Sequence, residues 1–541
     1  MTSAQSLPNG YQIPHQPERN LPGGGNWVVQ KFGGTSVGKC AENIVHDIVA
    51  AGLRGGSQDA QRIAVVCSAR STNTKSEGTT NRLLRAARHV LEDEPGQQSG
   101  GYVDLVEAIR VDHVKAGEIG VRNGGAVLEQ YVRDVNEESY RLLRVLESAQ
   151  YLKAVTPQTK DMIMAVGEKL SCLYMAALLK DAGVEAAYVD LSEVVTFTDE
   201  RKGVSDDFYK HLSTALAERI HALAPNAVPV VTGYFGPVPG GLLEQIGRGY
   251  TDLCAALCAV GLRARELQIW KEVDGIFTAD PRKVPTARLL DSVTPSEAAE
   301  LTFYGSEVIH PFTMDQVIRS AIPIRIKNVL NPRGAGTVIL PDPMDTSIAQ
   351  KSSRSLIRNR STSNLTTNGT STPKHPKRPT AVTIKRGITV LNVHSKKRTR
   401  AHGFLMSIFL ILDRHHLSVD LISSSEVHVS MALHSESSLL SGSEEDMRIA
   451  STSLAKAVED LGQWGDVDLV PGMAIISLVG RQLRSMVGIS GRFFSTLGEQ
   501  GINIEMISQG ASEINISCVI EEREASRALN VVHTNLFTFL E

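Results

Sequence analysis

The sequence lacks most of what would mark a membrane, secreted or nucleic-acid-binding protein. Its six cysteines (Cys40, Cys67, Cys172, Cys254, Cys258 and Cys518) are scattered, with no Cys-x-x-Cys pair, so neither a disulfide framework nor a zinc site is suggested. Cys254 and Cys258 stand one helical turn apart and read as small buried apolar residues. No uninterrupted apolar run is long enough to span a bilayer. The first 26 residues are polar, with Pro and Gly, and lack the apolar centre of a signal peptide. A formal net charge of −3 leaves no global electrostatic footprint for nucleic acid. The expectation is a reduced, soluble, cytoplasmic protein with neither nucleic acid nor membrane as a partner.

What is present points to several domains. A length of 541 residues suggests three or four, and an apolar share of 42% is enough for sizeable cores. From Trp27 to about Pro341, short apolar runs alternate with helix-length patterns, the signature of an α/β domain with a largely parallel sheet. The strand candidates are 27–32, 63–67, 187–190, 228–232, 266–270 and 322–326. In such sheets ligands gather at the carboxyl ends of the strands, so the loops there should converge.

Residues 1–25 read as a disordered leader. Residues 342–379 are rich in Ser, Thr, Asn, Pro and basic residues and read as a solvated linker. An internal repeat follows. Leu417 to Ile422 with Ser425 to Ser430 returns as Ile502 to Ile507 with Ser512 to Ser517, each copy preceded by a glycine-led helix (Gly403 to Arg414; Gly488 to Gln500). Each copy is a βαββ core, part of a ferredoxin-like unit. The boundaries expected are 26–341 for the α/β domain, 380–470 for the first copy of the repeat and 471–541 for the second.

Five stretches carry the chemistry. Lys31-Phe32-Gly33-Gly34-Thr35-Ser36 ends the first strand in a glycine turn that would aim backbone N–H groups at an anion, with Lys31 adding charge. The lysine precedes the glycines, so this is neither a Walker motif nor G-x-G-x-x-G. Ser68-Ala69-Arg70 ends the second strand and leads to Gly78-Thr79-Thr80-Asn81. Gly167-Glu168 is expected to open a helix, with Glu168 in its first turn. Gly247-Arg248-Gly249-Tyr250-Thr251-Asp252 begins another helix. The fifth stretch runs from Trp270 to Arg282. No Ser-His-Asp or Cys-His arrangement is evident.

In order and spacing these motifs resemble the aspartokinases of the amino-acid kinase superfamily, the fungal branch in particular, across residues 27–340. The tandem repeat resembles that family's two regulatory ACT domains. The resemblance implies an αβα sandwich followed by two βαββαβ modules. It also implies ATP-dependent phosphorylation of the L-aspartate side chain to 4-phospho-L-aspartate, the first step of threonine and methionine biosynthesis, with Mg²⁺ accompanying ATP. By the same resemblance Lys31 and Asp252 are catalytic, Asp252 either orienting Lys31 or reaching the metal through water. Lys31, Gly33, Gly34, Lys271, Glu272, Asp274, Phe277, Arg282 and Lys327 would bind ATP. Thr35, Ser36, Ser68, Thr80, Glu168 and Arg248 would bind aspartate, Arg248 gripping a carboxylate and Glu168 the ammonium. The run departs from the family's Gly-Arg-Gly-Gly-Ser-Asp at Tyr250-Thr251, and from its Thr-Asp at Lys271-Glu272.

For the repeat, the resemblance nominates Gly403, Phe404, Leu405, Asp420, Ser425, Asn503, Ile504 and Gln509 as an effector site, threonine being the effector expected and a homo-oligomer the assembly. The competing readings are a related kinase acting on another carboxylate, carbamate or nucleotide, and a catalytically dead amino-acid sensor. Retention of Lys31, Glu168, Arg248 and Asp252 together argues against the sensor.

Overall fold

The computed structural model describes residues 27–538 apart from 55–60, 72–76, 93–100, 196–204, 225–226, 239, 247–248, 305–308, 310, 341–377, 397–402, 426, 435–439, 442–447, 482 and 510–513. The expected leader and nearly all of the expected linker fall outside the described residues, as does Arg248. The chain divides into two compact units, Met1–Asp274 with Phe312–Val338, and Gly275–Pro311 with Ile339–Glu541. The strands in chain order are β1 (Trp27–Phe32), β2 (Arg62–Cys67), β3 (Ala186–Val189), β4 (Val228–Thr232), β5 (Glu266–Lys271), β6 (Ser292–Val293), β7 (Ile324–Asn328), β8 (Thr337–Ile339), β9 (Ala381–Ser395), β10 (Val419–Ser424), β11 (His428–His434), β12 (Leu440–Ser441), β13 (Arg448–Ile449), β14 (Gly465–Val479), β15 (Met506–Ser508) and β16 (Asn515–Glu521).

The first unit is built on six parallel strands in the order β3-β4-β2-β1-β5-β7. All six expected strands are present, with ends displaced by no more than two residues. β1 lies between β2 and β5, and β2 is buried along its whole length. A strand covered on both faces reads as a continuous apolar run, which is why Ile63 to Cys67 shows no alternation.

The helix Pro157–Asp181 packs in the same core. It is long and apolar enough by length and composition to cross a membrane, yet 83% of its most apolar window is buried inside the protein. It also corrects the expectation for Glu168. Thr156 caps the helix, its hydroxyl accepting from Thr159 N–H, and Pro157 opens it. Glu168 therefore lies in mid-helix, outside the reach of the N-terminal dipole.

In the second unit a six-stranded sheet runs β10-β11-β9-β14-β16-β15, antiparallel wherever registers are defined. Two βαββαβ modules share it. In the first, the upper half of β9 leads to the helix Phe404–Arg414, β10, β11, the helix Thr452–Leu461 and the start of β14. In the second, the end of β14 leads to the helix Ile489–Glu499, β15, β16 and the helix Ala525–His533. Its remaining strand is the beginning of β9, where Ala381 to Lys385 pair with Val479 to Ile475.

A cut between residues 470 and 471 would thus leave the second module one strand short, because the first module is inserted within it. A catalytic domain running unbroken to residue 341 is also not what the packing gives. Ala279 and Val284 share an apolar cluster with Phe493, Leu497 and Leu529, which draws the segment from Gly275 onward into the second unit. Gly403 and Gly488 cap equivalent helices at φ 88° and 83°. That left-handed conformation suits glycine at both copies of the repeat.

Candidate active site

The carboxyl ends of β1, β2 and β4 and the helices that follow them frame a cleft of about 350 Å³. It is lined by Gly34, Thr35, Ser68, Thr80 and Glu168 from the sequence expectation, and by Asn81, Leu243, Tyr250 and Thr251, which were not assigned a role there.

The glycine turn after β1 differs from its expected form. The chain becomes helical at once, over Gly34–Lys39, so Thr35 and Ser36 lie inside a first turn. A Cβ on Gly34 would stand 2.0 Å from the Ala69 carbonyl oxygen, while one on Gly33 would meet nothing within 4 Å. Gly34 is therefore required by the close approach of two protein backbones, and only Gly33 faces open space. Ser36 is buried and donates from Oγ to Glu272 Oε1 at 2.7 Å, so this hydroxyl bonds to the chain's own carboxylate.

Lys31 Nζ lies 2.6 Å from Asp252 Oδ1, both side chains being largely sheltered. Asp252 is in the first turn of the helix Tyr250–Gly261, where the helix dipole favours a carboxylate. The pair joins the end of β1 to the helix that follows the Gly-Arg-Gly run. It supplies a fixed positive charge whose orientation is set by the protein.

Glu168 is 2% exposed, and burial pushes its carboxyl up to about 7, against the opposing influence of the Thr251 hydroxyl, the Tyr234 backbone, Lys31 and Tyr250. Thr251 donates from Oγ1 to Glu168 Oε1 in a short hydrogen bond. Oε2 has no hydrogen bond of good geometry among the described residues, although Tyr250 and Tyr234 lie near it. A buried carboxylate bordering the cleft, with one oxygen held by Thr251 and the other without a hydrogen bond of good geometry among the described residues, is the complement of an ammonium group. Thr251 and Tyr250 stand at the departures from the family run, and that was the available signal for them.

Another contributor, Asp161, gave no sequence signal. It lies two turns before Glu168 on the same helix and accepts from Leu243 N–H at 3.0 Å and also from Leu242 N–H. It thereby anchors the short helix that precedes the Gly-Arg-Gly run.

Other expected residues are spread more widely. Lys327 Nζ lies 4.9 Å from the centre of the Trp270 ring, and burial lowers its pKa. Asp274 accepts from the side-chain amides of Asn328 and Asn331 at 3.2 and 3.1 Å. Lys271 ends β5, half-buried. Phe277 and Arg282 belong to the second unit, where Arg282 folds back on Asp280 at 3.1 Å. They are not among the residues that line the cleft of the first unit.

Within the second unit the nominated effector residues divide by module. Gly403, Phe404, Leu405, Asp420 and Ser425 lie in the first. Asn503 is exposed in the second, Ile504 packs on its core, and Gln509 accepts from Ser490 Oγ at 3.2 Å. Ser425 closes a turn, its Oγ accepting from His428 N–H at 3.1 Å. Asp420 departs from expectation, because its carboxylate is not an open acceptor. Lys385 Nζ lies 2.7 Å from its Oδ2, with the Asp420 side chain only 4% exposed.

The amino acid kinase family model matches residues 26–328, more than half of the chain, and an ACT domain model matches residues 476–536. The parallel sheet with its cleft is thus the catalytic fold of an amino acid kinase, accompanied by an ACT domain. The aspartokinase of Schizosaccharomyces pombe is 49% identical over 524 residues, spanning 94% of this chain and 92% of the relative. That of Saccharomyces cerevisiae is 48% identical over 529 residues, spanning 95% and 93%. Among solved structures, Escherichia coli aspartokinase III in complex with aspartate and ADP (R-state) aligns at a TM-score of 0.66 and 27% identity, covering 94% of this chain and 99% of that one. The same enzyme in complex with lysine and aspartate (T-state) aligns at 0.69, with the same identity and coverage. The chain belongs to the aspartokinase family and is an ATP-dependent kinase.

Proposed function

We propose that this enzyme transfers the γ-phosphoryl group of ATP to the side-chain carboxylate of L-aspartate, giving 4-phospho-L-aspartate for threonine and methionine synthesis. The observation that carries the reading is Glu168, buried beside the cleft with one oxygen held by Thr251 and the other without a hydrogen bond of good geometry among the described residues, a carboxylate suited to an α-ammonium. The substrate carboxylate has an ordinary pKa of about 4 and is already ionised at neutral pH, so no general base is needed. One of its oxygens forms the new bond to the γ-phosphorus as the bond to the β,γ-bridging oxygen breaks and ADP leaves. The obstacle is an anion meeting a polyanion, so charge neutralisation and positioning dominate.

Lys31 stabilises the charge on the transferred group, with Asp252 holding its ammonium in place. Thr35, Ser68 and Thr80 add polar contacts to the substrate, and Arg248 takes a carboxylate. Glu272 orients Ser36, and Lys327 faces the nucleotide. Among the described residues no group of three acidic, His or Cys side chains could hold a metal. Mg²⁺ fits here as the counter-ion of ATP, neutralising phosphate charge with few protein ligands.

The E. coli relative's T-state complex with lysine, together with the ACT domain match, supports the reading that the C-terminal modules bind an end-product amino acid. Threonine is the effector proposed here, and the modules the site of homo-oligomer formation. The test is a coupled assay with aspartate, glutamate and N-acetylglutamate as acceptors, with and without threonine. Turnover confined to aspartate and depressed by threonine is expected. Preference for another acceptor overturns the assignment.

A further inference from the structure

The ion pair between Lys385 and Asp420 has a consequence for regulation. Asp420 sits where the pairing of β10 with β11 slips: Val419 pairs with Leu433 and Leu421 with Ala432, leaving Asp420 as the extra residue. Such a bulge re-aims a side chain. Here it turns a carboxylate into a buried position, where it meets Lys385 at 2.7 Å. Lys385 comes from the part of β9 that completes the second module, opposite Ile475, whereas Asp420 belongs to the first. The Lys385 ammonium also lies 4.6 Å from the centre of the Phe303 ring. The pair therefore ties the two modules together at Asp420, the one acidic residue among those nominated for the effector site.

We infer that Lys385 is a resident occupant of the effector's ammonium subsite, and that an amino-acid effector binds by displacing it from Asp420. This rests on the reading of Asp420 as an effector residue. The chemistry is an exchange of like for like. Both the lysine side chain and an α-amino acid present a compact cation with three donors. A buried carboxylate cannot be left unpaired without a large penalty, so one cation must replace the other. The effector's apparent affinity is then reduced by the fraction of molecules in which Lys385 has left. Release of Lys385 loosens the tie between modules, which gives the effector a differential contact with two arrangements.

The experiment titrates L-threonine, and L-lysine in parallel, against aspartate turnover and against the melting temperature of the full-length enzyme. It compares wild type, Lys385→Met, Lys385→Arg and Asp420→Asn. Lys385→Met should keep turnover without effector, lower the half-inhibiting concentration at least tenfold, and enlarge the thermal shift produced by effector. Lys385→Arg, whose planar fork grips a carboxylate with two bonds, should move the half-inhibiting concentration the other way and remains informative if the Met variant fails to fold. Asp420→Asn should desensitise. If Asp420→Asn desensitises while both Lys385 variants respond as wild type, the displacement idea is wrong and the effector site stands. If Asp420→Asn keeps wild-type sensitivity, or neither amino acid affects the wild-type enzyme, the effector reading fails and the inference with it.

Discussion

Lys31 and Asp252 meet at 2.6 Å, one at the end of β1 and the other in the first turn of the helix Tyr250–Gly261. Two residues 221 positions apart (252 minus 31) thus form one unit, and the role proposed for it is catalytic. In a largely sheltered ion pair the cost of desolvating the two charges offsets much of their attraction, so the net gain to folding is modest. A positive charge held in a fixed direction beside a phosphoryl group is where an enzyme gains most.

Lys31→Ala is accordingly expected to fold and to lose turnover by about a hundredfold or more, chiefly in kcat. Asp252→Asn should lose less, because the lysine remains but is no longer oriented by a charge. Steady-state kinetics with circular dichroism as the folding control will check both. A Lys31→Ala enzyme with near-normal kcat would remove the lysine from the mechanism.

With Glu168 in its proposed role, its raised pKa should make aspartate binding pH-dependent. Between about 4.5 and 7 the folded chain keeps a proton on Glu168 that the unfolded chain has shed. The group's contribution to stability is therefore fully present below about pH 4.5 and is lost as pH rises through about 7. The ammonium of aspartate needs the ionised form. KM for aspartate should fall as pH rises towards 7 and level off above it, with a limiting slope of about tenfold per pH unit on the acid side. Glu168→Gln should raise KM and flatten the profile. A wild-type KM that is constant from pH 5.5 to 8.5 excludes Glu168 as the ammonium's partner.

Thr251 holds the other oxygen of the same carboxylate. Thr251→Val preserves the shape but leaves a buried acceptor unsatisfied, a cost of about 1–3 kcal/mol. The expected result is a KM for aspartate raised roughly tenfold with the KM for ATP unchanged, the equivalent of about 1.4 kcal/mol. Thr251→Ser should behave as wild type. Equal losses with Ser and Val would point to packing rather than to the hydroxyl.

The two glycines after β1 should respond differently. Gly34→Ala places a methyl group 2.0 Å from a backbone oxygen and should lower the melting temperature by several degrees. Gly33→Ala meets open space and should leave stability nearly unchanged while raising the KM for ATP. Thermal melts together with ATP titrations will separate the two. Loss of stability in Gly33→Ala, with normal ATP binding, would make that glycine structural as well.

The parallel sheet was legible because its strands are buried on both faces, so each is a local apolar run that needs no partner to be recognised. Lys31, Glu168 and Asp252 were legible for a different reason: each stands in a glycine-marked motif whose spacing along the chain matches a family. The repeat was equally local, two copies of one pattern, and its helix starts at Gly403 and Gly488 fell where expected. What only the tertiary structure decided are the relations between distant segments. The approach of Ala69 makes Gly34 obligatory, and Thr156 and Pro157 start a helix early enough to bury Glu168 in its middle. The first part of β9 completes a module whose own part of β14 begins 94 residues later (475 minus 381), because a sheet is closed by hydrogen bonds and not by sequence order. Lys385 reaches Asp420 across that same sheet. A charge in a sequence is only a candidate; its partner, its burial and hence its pKa are set by what the fold carries to it.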